Sequence, residues 1–494
     1  MSEAMPPPGN ELHVPLVPVL RWGQVVSVLP LLAALLASVV AYWPALQSPL
    51  YADDYLYLNA ARNLSFSDIA MAAFTPLSEE PLLAPVTSNY WRPLHSLSFE
   101  LLEPLFGGNP SAYHVLLLGI HLASVVLVWL LARQLSGRWE TAGIAAVLFA
   151  AHPAPFEGVA WIASSNNAGL PLMLAAWLFF ARATERERLR WRGLIVSALL
   201  LAAALGFRES TLTVVPAIAA WRCLWWRRDR LRERSTYAPF LPFVIVLAVY
   251  EVVRTRFLTE PAITAGAWGL GDHILGQFWF YLKVVAFPVS EGATGSVHWA
   301  QVTAGAAILS SLPVLLVLRR WRMAAMVAAP FFAITVYAPL TLGVSQRYVY
   351  FPAAFAALAG AVVLRELLDY ARLYIHPRLL WPGVAVGLGL LLLLGSAAIH
   401  RRTAEWVEAG PDTQQRWVDE LRALYPELPE GGTLYCADVP LVLALFNDVN
   451  LVPTVSFYYP GVTARRIAAE DVQEVRASLG PDDRIFVPAT PARK

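Results

Sequence analysis

The chain has 494 residues, 57% of them hydrophobic and only 15% charged, with a mean hydropathy of +0.51. Soluble domains carry about 25% charge, so an ordinary water-soluble globule is excluded. The net charge of +1 gives no electrostatic footprint for nucleic acid.

Residues 1–23 are polar and Pro-rich and predict a disordered cytoplasmic N-terminus. "VVSVLPLLAALLASVVAYWPAL" (25–46) is longer than a signal-peptide core and no A-x-A cleavage pattern follows it. It predicts a retained first span, because about 20 helical residues cross a bilayer. A long polar segment, 47–112, comes next as the first external loop. Further apolar runs near 113–132, 140–152, 166–181, 193–207, 210–226, 237–254, 302–318, 323–342, 347–364 and 380–399 bring the expectation to about eleven spans. One more run, "ILGQFWFYLKVVAFPV" (274–289), is short and carries Lys283. It predicts a re-entrant or interfacial helix.

Basic residues in short loops set orientation. "RQLSGRW", "RATERERLRWR", "RRDRLRER", "RRWR" and "RELLDYARLYIHPR" collect most of the Arg, and the runs place all five on one face if 274–289 does not cross. That face is the cytoplasmic side of a cytoplasmic (inner) membrane. The 47–112, 153–165, 208–209 and 255–301 segments and everything after 400 are then outside. From 401 to 494 the text turns polar. "TAEWVEAGPDTQQRWVDELRALYPEL" has helical spacing, "GTLYCAD" and "DRIFVPAT" read as strands, and "ARRIAAEDVQEVRASLG" reads as a helix between them. The expected architecture is therefore an α-helical polytopic membrane protein: a transmembrane domain over 24–400 and a small extracytoplasmic α/β domain. Cys223 and Cys436 fall on opposite sides, which excludes a disulfide framework.

Nine polar residues gather at external loops and span ends: Asp53, Asp54, Arg92, His152, Glu157, Arg208, Glu209, Gln346 and Arg347. Ionisable groups at membrane depth are costly and tend to be functional or paired. A carboxylate can take a proton from an acceptor hydroxyl, and arginines can hold a phosphate leaving group. Together they suit sugar transfer from a lipid phosphate at the outer membrane face. Plainer readings stand beside this one. Asp53 and Asp54 also suit the cap of the helix that follows. Arg92 also suits an interfacial anchor, Glu157 a solvated charge, and Arg208–Glu209 a mutual surface pair. A flippase-type transporter would place its charges at mid-membrane. A lipid-linked glycan polymerase or ligase would carry its large external loop late in the chain, whereas here it is early. A non-catalytic scaffold for the tail is a further alternative.

Five stretches in this order carry a resemblance: "YADDYLYLNAARN", "NYWRPLHSLSFELLEPLFGGNPSAYHVLLLGIHLASVVLVWLL", "LFAAHPAPFEGVAWIASSNNAGLPLMLAAW", "LGFRESTLTVVPAIAAW" and "SQRYVYFPAAFAALAG". Over roughly 20–365 the chain resembles GT-C membrane glycosyltransferases. Within that class it is similar to the protein O-mannosyltransferase-like branch that often carries TPR repeats. The resemblance implies a polyprenyl-phosphate sugar donor, a lipid, glycan or protein acceptor, and an Asp of the first external loop as general base. That role falls on Asp53 or Asp54, with Asp53 favoured because many relatives have an Asp-Glu pair with the Asp first. Glu157 is the other candidate catalytic carboxylate; Arg92, His152, Arg208, Glu209, Gln346 and Arg347 are the candidate substrate contacts. An acidic pair beside a phosphate also has the chemistry to recruit a divalent cation, Mg2+ or Mn2+. Two features depart from the pattern: Arg208 stands where relatives usually have Lys, and the tail has no period near 34 residues and so no TPR array.

Overall fold

The computed structural model describes residues 22–63, 67–68, 91–185, 189–257, 269–287, 295–341 and 343–489. The expected disorder of the N-terminus and much of the first external loop lie outside the described residues.

Every expected apolar run coincides with helical structure. In chain order these helices are α1 (Trp22–Ala41), α4 (Pro110–Ser136), α5 (Trp139–Ala150), α6 (Asn166–Thr184), α7 (Trp191–Phe207), α8 (Val214–Ala220, continued by a π turn over Trp221–Trp226), α9 (Leu241–Phe257), α11 (Gly295–Val317), α12 (Trp321–Thr335), α13 (Tyr350–Ala371) and α14 (Pro377–Ala409). Two helices, α2 (Asp53–Asn63) and α3 (Pro93–Phe106), lie within the first polar segment. Local chemistry marks the ends. Proline opens α3, α4 and α14, where its missing N–H costs nothing. Gly137 closes α4 in the left-handed conformation (φ 72°), its N–H donating to Arg133 O at 2.9 Å. Among the described residues, five helical stretches can cross a membrane by length and composition: Pro110–Ser136, Arg234–Arg256, Ser296–Val317, Gln346–Ala371 and Pro377–Leu424.

One continuous apolar core joins α1, α4 to α8, α12 and α13, with Trp177, Phe355 and Tyr350 fully buried. On α9, α11 and α14 the large apolar side chains Val252, Val317 and Leu393 point outward instead. Exposed apolar helix surface on this scale belongs against lipid, as in a multi-pass membrane protein. The run near 274–289 forms α10 (His273–Ala286). Both of its ends stay at the same end of the bundle: His273 Nε2 lies 3.4 Å from Pro339 O, and His152 Nε2 lies 3.3 Å from Val285 O.

The Arg-rich segments meet at the far end. Arg138 pairs with Asp369 at 2.7 Å, and Arg228 lies over the Trp321 ring at 4.3 Å.

Helix α14 runs on through residue 400 to Ala409, so its polar second half, "HRRTAEWVEA", is continuous with the apolar first half. Gly410 breaks it, and α15 (Pro411–Leu424) starts a separate unit with its own core around Trp417, Leu434, Leu451 and Phe486. Strands β1 (Thr433–Cys436), β2 (Thr463–Arg466) and β3 (Arg484–Phe486) form a parallel sheet in the order β2-β1-β3. Helices α16 (Leu441–Asp448) and α17 (Leu451–Tyr458) connect β1 to β2, and α18 (Val472–Ala477) precedes β3. The structure corrects one element: "ARR" of the expected 464–480 helix is strand β2, paired with β1. Only the later part of that stretch is helical, because a central β1 needs a partner on each edge. Cys436 is buried, and neither cysteine forms a disulfide.

Candidate active site

The site is built at one end of the bundle, where the chain turns from α1 into α2. Ala52 stands there with φ 51°, a left-handed conformation that costs a residue with Cβ about 1–2 kcal/mol. The strain lets Asp53 and Asp54 open α2 with their side chains in different surroundings.

Asp54 is buried. Its Oδ2 accepts Tyr51 N–H at 2.9 Å and its Oδ1 accepts Ala163 N–H at 2.7 Å. Burial pushes its carboxyl well above the usual range, against the pull of those two N–H groups. With both oxygens taken by backbone, Asp54 ties α2 to the loop between α5 and α6. Asp53 is half-buried, and among the described residues no backbone N–H holds its carboxyl. Burial raises its carboxyl, while the facing Arg347 guanidinium and the Asn450 side chain lower it.

Arg347 sits in the short 3-10 turn Gln346–Val349 that leads into α13. Its guanidinium lies 5.0 Å from the Trp161 ring and 5.2 Å from the Tyr348 ring. Asn166 Nδ2 donates to Arg347 O at 3.3 Å, which fixes that turn against the start of α6. Glu157, on a one-turn helix over Glu157–Ala160, accepts Ser345 Oγ at 3.5 Å. Arg208, at the end of α7, is buried; its Nη1 donates to Ser165 Oγ at 2.8 Å and its guanidinium lies 5.3 Å from the Tyr348 ring. Tyr348 therefore has two guanidinium groups within about 5.3 Å of its ring and stacks on Tyr337 at 4.9 Å.

Arg92 and Glu209 form a two-pronged pair, Nε to Oε2 at 2.9 Å and Nη2 to Oε1 at 2.7 Å. This geometry is the strong form of a carboxylate–guanidinium contact. Burial alone would raise the Glu209 carboxyl; Arg92 outweighs it and holds the group down to about 2. Glu209 thus pairs across the fold with Arg92, rather than with its chain neighbour Arg208. Beside them His95 is buried, its Nε2 without a partner, and burial with the nearby Arg92 and Arg208 lowers its imidazole to about 3.

His152 and Gln346 lie to one side. His152 Nε2 pairs with Val285 O, and its Nδ1 accepts Ala154 N–H at 3.4 Å. Gln346 Oε1 accepts Arg402 Nη1 at 3.2 Å. Asp53, Glu157 and Arg347 thus come together, Arg208 joins them at Tyr348, and Arg92–Glu209 backs Arg208. Trp161, Ser165, His95 and Tyr348 were legible only as neighbours of the motif residues. Arg402 and Asn450 carried no signal, because each reaches the site from beyond the transmembrane stretch. Among the described residues no group of three or more His, Cys, Asp or Glu side chains comes together to hold a metal. With Asp54 committed to backbone N–H groups, the donors present do not fit the Mg2+ or Mn2+ site that an acidic pair suggested.

This helical bundle, with an acidic turn after its first long helix, has a counterpart among solved structures. It matches ArnT from Cupriavidus metallidurans, solved with undecaprenyl phosphate, at a TM-score of 0.51 and 14% identity, over 93% of this chain and 89% of that one. Residues 92–253 match the family described as dolichyl-phosphate-mannose-protein mannosyltransferase. The chain is 34% identical over 137 residues to protein O-mannosyl-transferase Tmtc1 of Drosophila melanogaster, covering 27% of this chain and 16% of that protein. It is 26% identical over 147 residues to human protein O-mannosyl-transferase TMTC2, covering 29% of this chain and 18% of that protein. The chain thus spans less than one fifth of the length of these relatives. The resemblance read from the sequence, to GT-C enzymes and their O-mannosyltransferase-like branch, is found again in the family match, the relatives and the fold.

Proposed function

We propose that this protein is a GT-C glycosyltransferase that moves a sugar from a polyprenyl-phosphate donor to an acceptor hydroxyl at the outer face of the membrane. The observation that carries the reading is the division of labour in the acidic pair. Asp54 is spent on two backbone N–H groups, whereas Asp53 faces Arg347 in a half-buried recess.

In this reading Asp53 takes the proton of the acceptor hydroxyl as its oxygen attacks the anomeric carbon. The bond from that carbon to the phosphate oxygen breaks, and the phosphate leaves with the electron pair. Arg347 and Arg208, both beside Tyr348, hold the charge that gathers on the phosphate. Glu157 balances Arg347 before the donor arrives, and Arg92–Glu209 keeps the Arg208 side rigid. His152 and Gln346 line the edge of the donor site, oriented by Val285 O and Arg402. The acceptor is a lipid, a glycan or a protein. Placing both ends of α10 beside the site supports the count that puts the five Arg-rich loops on the cytoplasmic face and residues 401–494 outside. That count also gives donor phosphate and base a shared face. A transporter reading lacks this support, since the charges cluster at one end of the bundle.

The test is donor consumption. Proteoliposomes of the protein receive radiolabelled polyprenyl-phosphate sugars together with a membrane extract as acceptor source. Release of polyprenyl phosphate with transfer of label to an acceptor is the expected result. Donors left intact across the whole panel of sugars would contradict the proposal.

A further inference from the structure

The unit after Gly410 does not hang free of the acidic turn; it grips that turn from two sides. Gln414, fully buried on α15, accepts Ala52 N–H at 3.0 Å through Oε1, and its Nε2 donates to Thr454 Oγ1 at 3.3 Å. Its amide is therefore committed to joining the strained residue before Asp53 to α17. Asn450, buried just before α17, is joined to the same network, because Thr454 Oγ1 donates to Asn450 O at 2.7 Å; its Nδ2 donates to Val442 O at 3.4 Å, and its amide lies near enough to the Asp53 carboxyl to favour the charged form. Farther along α2, Asn59 Nδ2 donates to Ser456 Oγ at 3.0 Å and the hydroxyls of Tyr55 and Tyr458 meet at 3.2 Å. The Arg62 guanidinium stacks 3.7 Å over Phe457. At the other side of the recess, Arg402 on α14 donates to Gln346, the neighbour of Arg347. One contiguous C-terminal stretch thus touches both the turn that carries the carboxylate and the turn that carries the guanidinium.

We infer that Gln414 and Asn450 are positioning residues: the C-terminal unit sets where the Asp53 carboxylate stands relative to Arg347, and the acidic turn adopts its working geometry only with that unit docked. The physical reason is the strain. A left-handed alanine persists only where its surroundings over-determine it; Asp54 and Trp161 hold the N–H and C=O of Tyr51 before it, and Gln414, from the C-terminal unit, holds the Ala52 N–H itself. The inference rests on Asp53 being the base, as proposed above. Charged and titratable groups around Asp53 are Arg347 on the turn before α13, Asp54 on α2, Tyr51 before it, and Glu157 across Arg347. Asn450 is the neutral donor among them. Removing it takes away a stabiliser of the charged form, so the Asp53 carboxyl moves up.

The experiment uses the full chain in detergent and two readouts. The first needs no substrate: an infrared titration of carboxyl groups, with the Asp53 band identified by its loss in Asp53→Asn. The second is kcat and KM for a polyprenyl-phosphate sugar. Asn450→Ala should shift the Asp53 titration to higher pH and move the acidic limb of the pH–rate profile with it. Gln414→Ala should lower kcat by about 10- to 100-fold, the scale of a displaced catalytic group, with donor KM unchanged. Ser456→Ala, which trims the same docking surface away from the turn, should leave both readouts at wild type. If Asn450→Ala does not fold, Asn450→Ser keeps a shorter donor and should give a smaller shift of the same sign. An Asp53 band and a kcat unmoved by either variant would overturn the inference. A band that moves in a protein that transfers no sugar would instead leave the positioning intact and remove the glycosyltransferase reading.

Discussion

The two ends of the helical bundle are both rich in arginine, and they use it differently. At the end where Arg138, Arg365 and Arg372 gather, one carboxylate, Asp369, serves all three, and two of the contacts are to positions three and four residues away on the same stretch. At the other end the partners come from far apart in the chain: Arg92 meets Glu209 across 117 residues, and Arg347 faces Asp53. Two of the three contacts in the first pattern need only a helix, and the pattern signals orientation. The second exists only when the fold brings separate loops together, and it signals a site. Counting arginines would not separate the two ends, and sequence distance alone does not either, since Arg138 and Asp369 stand 231 residues apart; the contrast lies in the helical contacts three and four residues apart at the first end, against the long-range pairs of the site.

The largest expected effect lies within the acidic pair itself. Asp53→Asn should remove the base and cost about 10² to 10⁴ in turnover, with the melting temperature unchanged. Asp54→Asn should do the reverse in stability, since an amide cannot accept both Tyr51 and Ala163 N–H groups and one buried donor is stranded. Its cost is about 1–3 kcal/mol, read as a lowered melting temperature.

Next comes Arg347. Its replacement by Ala should weaken donor binding about 100-fold, the worth of one charge-assisted contact of about 3 kcal/mol. Arg347→Lys should recover only part, because a point charge loses the planar two-donor grip. Equal donor affinity in the wild type and Arg347→Ala would remove it from the phosphate site.

The Arg92–Glu209 pair sharpens the contrast through stability. Either single truncation should cost about 2–4 kcal/mol, because the partner is left with a charge shielded from water. The pH dependence has a definite sign. The native Glu209 carboxyl, held at about 2, lies below the ordinary value of about 4.3. The pair's contribution is therefore fully present above about pH 4.3 and is lost as pH falls towards 2. In Arg92→Ala that acid-side slope should flatten. The smallest effect on transfer belongs to the other end: Asp369→Asn should leave transfer untouched, and its stability cost of about 1–3 kcal/mol comes from Arg365, which is buried and loses its anion.

Much of this was legible in sequence for a simple reason: spanning helices are announced by local apolar length, and each expected run is helical. The acidic turn and the arginines at span ends were legible because a charge at the edge of an apolar run is conspicuous. What separates Asp53 from Asp54 was not, since it depends on Ala163 N–H, 109 residues away. The sheet unit was half legible. Strands β1 and β3 show their apolar content, but β2, "TARR", is a short edge strand with three of its four residues exposed, and it offers no alternation to read. The reach of Asn450 and Gln414 into the site had no sequence signal at all, because a buried amide looks the same whether it caps a helix or braces a turn.

The central claim is that two adjacent carboxylates divide the work, one reacting and one holding. It is tested most directly by measuring single-turnover donor cleavage and thermal unfolding side by side for wild type, Asp53→Asn and Asp54→Asn in the same proteoliposomes. The account predicts that Asp53→Asn abolishes cleavage at wild-type stability, while Asp54→Asn lowers the unfolding temperature. Near wild-type cleavage by Asp53→Asn would contradict it.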